Sequence, residues 1–179
     1  MKIYLIVILA AISATTLAQP GGRAKGPRSM NFEKVEDAQV PEAIKSTFSN
    51  TFPGASAVRW EKHSARGKRT FVKYVSVFTI DGVRSRARYK EDGSVLSSSK
   101  YYGPAKLPEN IKSAAQAKYP EFTVMGGEEI TTRNGKTFYR VRSRKGASKL
   151  IQYFDENGNE ISKDKAPEDV VDGEDEEGN

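Results

Sequence analysis

The chain has 179 residues, no cysteine, one histidine and a formal net charge of +6. Disulfide staples and thiol nucleophiles are thereby excluded, and the lone His63 has no evident Ser and carboxylate partners for a hydrolytic triad. The net charge hides two opposite fields. Residues 40–163 carry 23 Lys and Arg against 12 Asp and Glu, a net of +11, whereas residues 164–179 carry eight acids against Lys165, a net of −7.

In chain order, residues 1–18 have Lys2 as a basic start, an apolar run from Ile3 to Ile12 and small residues ending at Ala18. This is the pattern of a secretory signal peptide; the apolar run is shorter than the roughly 20 residues a membrane span needs. The expected location is therefore periplasmic or secreted, with no membrane span. Residues 19–39, rich in Gly, Pro and charge, read as a flexible lead-in.

The next stretch occurs twice. VPEAIKSTFSNTFPG (Val40 to Gly54) returns 67 residues later as LPENIKSAAQAKYPE (Leu107 to Glu121). Each copy predicts one amphipathic helix with Pro at its start. Apolar residues recur every four positions, at Ile44, Phe48 and Phe52 and again at Ile111, Ala115 and Tyr119. A second Pro stops each helix near Phe52 or Tyr119.

Strand signals follow each helix. Ala57 to Ser64 alternates, with Val58 and Trp60 on the core side and Arg59, Glu61 and His63 opposite. Arg69 to Ile80 is a long strand returned by Asp81-Gly82 into Val83 to Lys90, and Glu91-Asp92-Gly93 turns the chain into Ser94 to Ser99. In the second copy Thr123 to Thr132 is a strand interrupted by Gly126-Gly127, and Asn134-Gly135 and Glu156-Asn157-Gly158 are turns. Each unit of about 60 residues is too small to bury a comfortable core alone. The expected fold is α+β: two tandem helix-plus-antiparallel-meander repeats, 40–106 and 107–163, sharing a sheet of about eight strands with the helices on one face. Residues 164–179 read as a disordered acidic tail.

Alternation about Asp81-Gly82 sorts the hairpin side chains. Val72, Tyr74, Phe78, Ile80 and Tyr89 face the helices; Phe71, Lys73, Val75, Val77, Arg84, Arg86 and Arg88 face away. The second copy places Phe138, Arg140, Arg142, Arg144, Lys149, Ile151 and Tyr153 on the same outer face. A merely solvated face would look similar, since cations ~7 Å apart in water repel by only about 0.6 kcal/mol. Apolar residues exposed among the cations tip the reading to an interaction surface. The candidate binding residues are Phe71, Lys73, Arg84, Arg86, Arg88, Phe138, Arg140, Arg142, Arg144 and Tyr153. Asp155 to Glu160 (DENGNE) has oxygens that suit calcium, but its Gly is misplaced for an EF-hand loop, and a hairpin turn accounts for it. No cofactor and no metal are expected.

The tandem LPxxIK-type helices (VPEAIK with FPG, LPENIK with YPE), the VRWEK strand at Val58 to Lys62 and the YKEDGSVL and FDENGNEI hairpins resemble the PepSY-like, or β-lactamase-inhibitor-like, family of exported bacterial proteins. The resemblance covers roughly Val40 to Lys163. It implies tandem helix-plus-sheet units and protein binding or inhibition through the sheet. The function expected is a non-enzymatic exported binding module for an acidic protein or peptide. The alternatives are a polyanion binder (glycan, lipid headgroup or nucleic acid) and a purely structural envelope protein. An intramolecular contact between the acidic tail and the basic face is a further expectation.

Overall fold

The computed structural model describes residues 30–65 and 71–171. The expected signal peptide, most of the expected lead-in, the Arg66-Gly67 loop and the last eight residues of the acidic stretch lie outside the described residues. Nine strands form one sheet whose spatial order is the order of the chain, with every neighbouring pair antiparallel. They are β1 (Met30–Val35), β2 (Ser56–Ala65), β3 (Phe71–Ile80), β4 (Val83–Tyr89), β5 (Val95–Tyr102), β6 (Thr123–Thr132), β7 (Thr137–Lys145), β8 (Ser148–Asp155) and β9 (Glu160–Ile161). Helix α1 (Glu42–Thr51) precedes β2, α2 (Glu109–Lys118) precedes β6, and a short α3 (Glu168–Val171) follows β9. No helix among the described residues is long and apolar enough to cross a membrane.

The two prolines that open the helices stand one residue before the first helical position, both at φ −53°. From there the Pro41 carbonyl accepts hydrogen bonds from the Ile44 and Lys45 amides, so a residue that lacks an N–H costs the helix nothing. Ile44 and Phe48, and Ile111 and Ala115, turn inward at the spacing of four, and the helices end at Phe52 and Tyr119, each followed by Pro. Over the first helix the core is aromatic. The Phe48 ring centroid lies 5.3 Å from Trp60 and 5.1 Å from Phe78, and Phe52 adds a contact to Phe78 at 4.7 Å. Under α2 the core is aliphatic, with Leu107, Ile111, Ala115, Val124 and Val141 joined by Tyr139 and Phe154.

Turn chemistry sets the register. Asp81 and Gly82 both have positive φ, 52° and 70°, which gives a two-residue turn whose twist matches that of the strands. Ile80 faces Val83 and the pairing runs without a slip to Tyr74 and Tyr89. The Gly126-Gly127 interruption of β6 is a bulge between Val124 and Gly126. At Gly126, φ is 146° and a β-carbon would stand 2.6 Å from the Tyr102 carbonyl oxygen; at Gly127 it would meet Leu107 at 2.9 Å. Glycine is needed there because backbone and Leu107 close in on the strand.

Three expectations are corrected. The sheet has nine strands, because the end of the lead-in pairs as β1 along β2, with Val35 opposite Trp60. Val58 does not share the core with Trp60: a bulge between Ser56 and Arg59, with Ala57 at φ 51°, turns Val58 into solvent. The tail is ordered at its beginning, where α3 forms and buries Val170 completely.

Candidate binding face

The face opposite α1 and α2 is built in rows that cross the sheet. Strand pairing sets Glu61 beside Val75, then Arg88, Ser97 and Thr132. The next row runs Val77, Arg86, Ser99, Ile130 and Phe138. A third joins Tyr101, Glu128, Arg140, Tyr153 and Ile161. Strand alternation thus brings all ten candidate residues onto one face, as the pleat requires.

Their exposure divides them. Lys73, Arg86, Arg88, Arg140 and Tyr153 are buried, Arg88 and Arg140 to 2% exposure. Arg84, Arg142, Arg144 and Lys149 are exposed, and Phe71 and Phe138 are half-buried. The apolar groups expected in solvent between the cations are mostly not there. Val75, Val77 and Tyr153 are buried, which leaves Ile151 at 38% exposure as the one expected group open to water, joined by Phe32 of β1, opposite His63, at 44%. The face therefore has a buried charged centre and an exposed cationic rim.

Buried charge must be compensated, and the compensation comes from acids that the cation count overlooks. Arg140 Nη2 donates to Glu128 Oε2, both side chains being out of solvent. On β2, Glu61 Oε1 accepts from Arg59 at 2.9 Å and Oε2 lies 2.8 Å from His63 Nε2. The hydrogen bond to His63 holds the Glu61 carboxyl below its ordinary range; burial opposes this, while Arg59 and the charge of Arg86 add to it. His63 is fully buried and receives the edge of Phe32 at 4.6 Å, the setting of a satisfied strand histidine. The Tyr101 ring carries two guanidinium groups, Arg84 at 5.4 Å and Arg86 at 5.8 Å, and so links rim to centre. Among the described residues, the buried hydroxyls of Ser97, Ser99 and Tyr153 and Oε1 of Glu128 have no hydrogen-bond partner.

Helix α3 lies on this same face. Val170 packs with Ile130 and Tyr153, flanked by Phe138, Ile161 and Ala166. Asp169 is half-buried, and burial raises its carboxyl above the usual range against the opposing charges of Arg133, Arg88 and Lys73.

The DENGNE segment is a turn. Asp155 Oδ1 accepts from the Asn157 and Asn159 amides and Oδ2 from Asn159 Nδ2, each at 2.9 Å. Those bonds, the Asn159 side chain first, hold the Asp155 carboxyl low.

The sequence reading missed Glu128, Tyr101, Asp169 and Val170. Glu128 was hidden by the turn: a two-residue loop at Asn134-Gly135 would set Val141 opposite it, and only a three-residue loop over 133–135, closed by the Thr132 amide on the Lys136 carbonyl, brings Arg140 there. The signal for α3 was present: Pro167, two acids and an apolar pair are the pattern of a helix start.

No protein-family model matches this chain, and no curated protein does. Solved structures share its fold. A BLIP-like protein from Bacteroides fragilis NCTC 9343 superposes with a TM-score of 0.57 at 22% identity, over 68% of this chain and 84% of its own. A DUF2874 family protein from Bacteroides ovatus ATCC 8483 gives 0.57 at 14% identity, over 68% and 84%. A protein from Bacteroides eggerthii DSM 20697, predicted to be periplasmic, gives 0.57 at 15% identity, over 69% and 86%. At these identities the likeness is one of fold, and the β-lactamase-inhibitor-like fold expected from the VPEAIK and LPENIK motifs is the fold found.

Proposed function

We propose that the protein is an exported, non-catalytic binding module of two tandem repeats that engages an acidic protein or peptide through the charged face. Inhibition of an enzyme is one form such binding takes. The observation that carries the reading is the arrangement of Arg84: exposed, yet held on the Tyr101 ring beside Arg86, at the edge of a rim that also exposes Arg142, Arg144 and Lys149. A guanidinium already positioned by stacking loses less freedom when it takes a carboxylate in two parallel hydrogen bonds. Apolar Ile151 beside Arg142 supplies the non-polar contact that a protein partner uses and a polyanion does not. The fold neighbour described as BLIP-like supports inhibition as a role, and the neighbour predicted to be periplasmic supports export, as does the N-terminal signal pattern. The recurrence of the Pro-led helix stretch, Val40 to Gly54 and again Leu107 to Glu121, supports duplication of one ancestral unit.

The test is a pull-down from the envelope and medium of the producing organism. It compares the wild-type protein with the triple variant Arg84→Glu/Arg142→Glu/Arg144→Glu, at low and moderate salt. These rim positions are chosen because reversing buried Arg86 or Arg88 would disturb the fold itself. One protein retained at moderate salt and lost in the variant is the expected result. Heterogeneous anionic material that elutes steeply with salt would replace the reading with polyanion binding. Identical recovery by both baits would leave a structural role.

A further inference from the structure

The acidic C-terminus has two features that a merely solubilising tail does not need. It carries an apolar anchor, Val170, whose exposure is 0%. It also reaches the one face where cations are gathered: Ile130, Tyr153, Phe138 and Ile161, which receive Val170, all belong to the face opposite α1 and α2. The charges acting most strongly on Asp169 are those of Arg133, Arg88 and Lys73, drawn from the β6–β7 turn, β4 and β3. The chain then continues from that position with Asp172, Glu174, Asp175, Glu176 and Glu177.

We propose that α3, with Pro167 before it, is the resident occupant of the charged face. Asp169 and Val170 set the chemistry, an acid on the cationic face next to an apolar anchor packed against Ile130 and Tyr153, that a partner must reproduce to displace it. The inference rests on reading this face as a binding surface, and it narrows the partner to an acidic segment with an aliphatic residue adjacent to a carboxylate. One fully buried valine, the half-buried Ala166 and Val171 and a carboxylate that gives up water to lie there make a weak latch. Weakness suits an occupant that has to leave.

The experiment needs no identified partner. A fluorescein-labelled peptide of residues 164–179 is titrated into the full-length protein and into full-length Val170→Asp, whose own segment is released. The expected result is saturable binding to the variant and, because the resident segment competes, apparent affinity for the wild type lower by about tenfold or more, the value for a latch closed nine-tenths of the time. A peptide carrying Val170→Asp should bind neither. Equal binding to both proteins, or to neither, overturns the proposal. If Val170→Asp does not melt cooperatively, hydrogen exchange on the wild type and on exposed-site Arg133→Glu decides. Protection at residues 168–171 that falls in the variant and in high salt supports the latch, and unchanged protection refutes it. Peptide binding with no loss of any partner in the rim variant would separate a latch from a receptor face.

Discussion

The two faces of the sheet are both dry at the centre and are made so by opposite means. Beneath α1 and α2 the side chains are apolar by pattern, and helix and strand rings meet edge to face: Phe48 on Trp60 and Phe78. Across the sheet, at comparable burial, stand Arg86, Arg88, Arg140, Glu128 and Lys73. The first face derives its free energy from apolar area removed from water, roughly 25 cal/mol per Å². The second gains little net stability from its ions, since desolvation of each partner consumes most of their attraction. What such a face does provide is direction: a charge array held in fixed register by the strands, useful for recognition and a poor source of stability.

Mutations can break this contrast. The largest effects should come from single cuts on either side. Phe48→Ala removes a ring that touches three other aromatic rings and should cost about 3–5 kcal/mol in urea unfolding. Glu128→Ala leaves the Arg140 charge buried with its acid removed and should also cost about 3–5 kcal/mol. The faces part in the double variant Glu128→Leu/Arg140→Met, which should recover most of that loss or exceed wild-type stability by up to ~4 kcal/mol, because no uncompensated charge remains. A double variant as unstable as Glu128→Ala would mean that the ion pair contributes net stability and that the charged face, too, holds the fold together.

Acid sharpens the comparison further, with a smaller effect. The Glu61 carboxyl is depressed in the folded chain by its bond from His63. A depressed acid contributes stability that is full above its unfolded value, near 4.5, and is lost as pH falls through the lower folded value. Unfolding midpoints should therefore drop below about pH 4.5, and Glu61→Gln should flatten that part of the profile. A profile unchanged by Glu61→Gln would remove Glu61 as the cause. The smallest stability effect belongs to the rim: Arg84→Glu should move stability by no more than ~0.5 kcal/mol while changing the salt dependence of any bound acidic ligand. A larger loss would show that the Tyr101 stack holds the fold together.

Much of the fold was legible because short-range chemistry decided it. Asp81-Gly82 dictated seven residue pairs of β3 and β4, and the Pro-bounded stripes of Ile44 and Phe48, and of Ile111 and Ala115, placed both helices. The face to which each candidate residue belongs was legible for the same reason. Its burial was not, because exposure depends on what else arrives at that face, and α3 comes from a segment whose composition argues for disorder. Eight acids outweigh two valines in any average, yet Val170 decides where the segment goes. Strand β1 was hidden similarly. As an edge strand it buries Val35 alone among 31–35, too little apolar alternation to stand out from Gly-rich surroundings.

The sheet's simple order has a kinetic consequence. Since each strand pairs with the one just before it, every ladder from β1 to β9 closes over a short stretch of chain, apart from the two steps that enclose α1 and α2. Such a topology has low contact order and is expected to form quickly, with each new hairpin adding to the edge of the last. A chain threaded N-terminus first through a narrow exit would be able to build its sheet in the order of emergence, and α3 could dock only after every strand beneath it was in place.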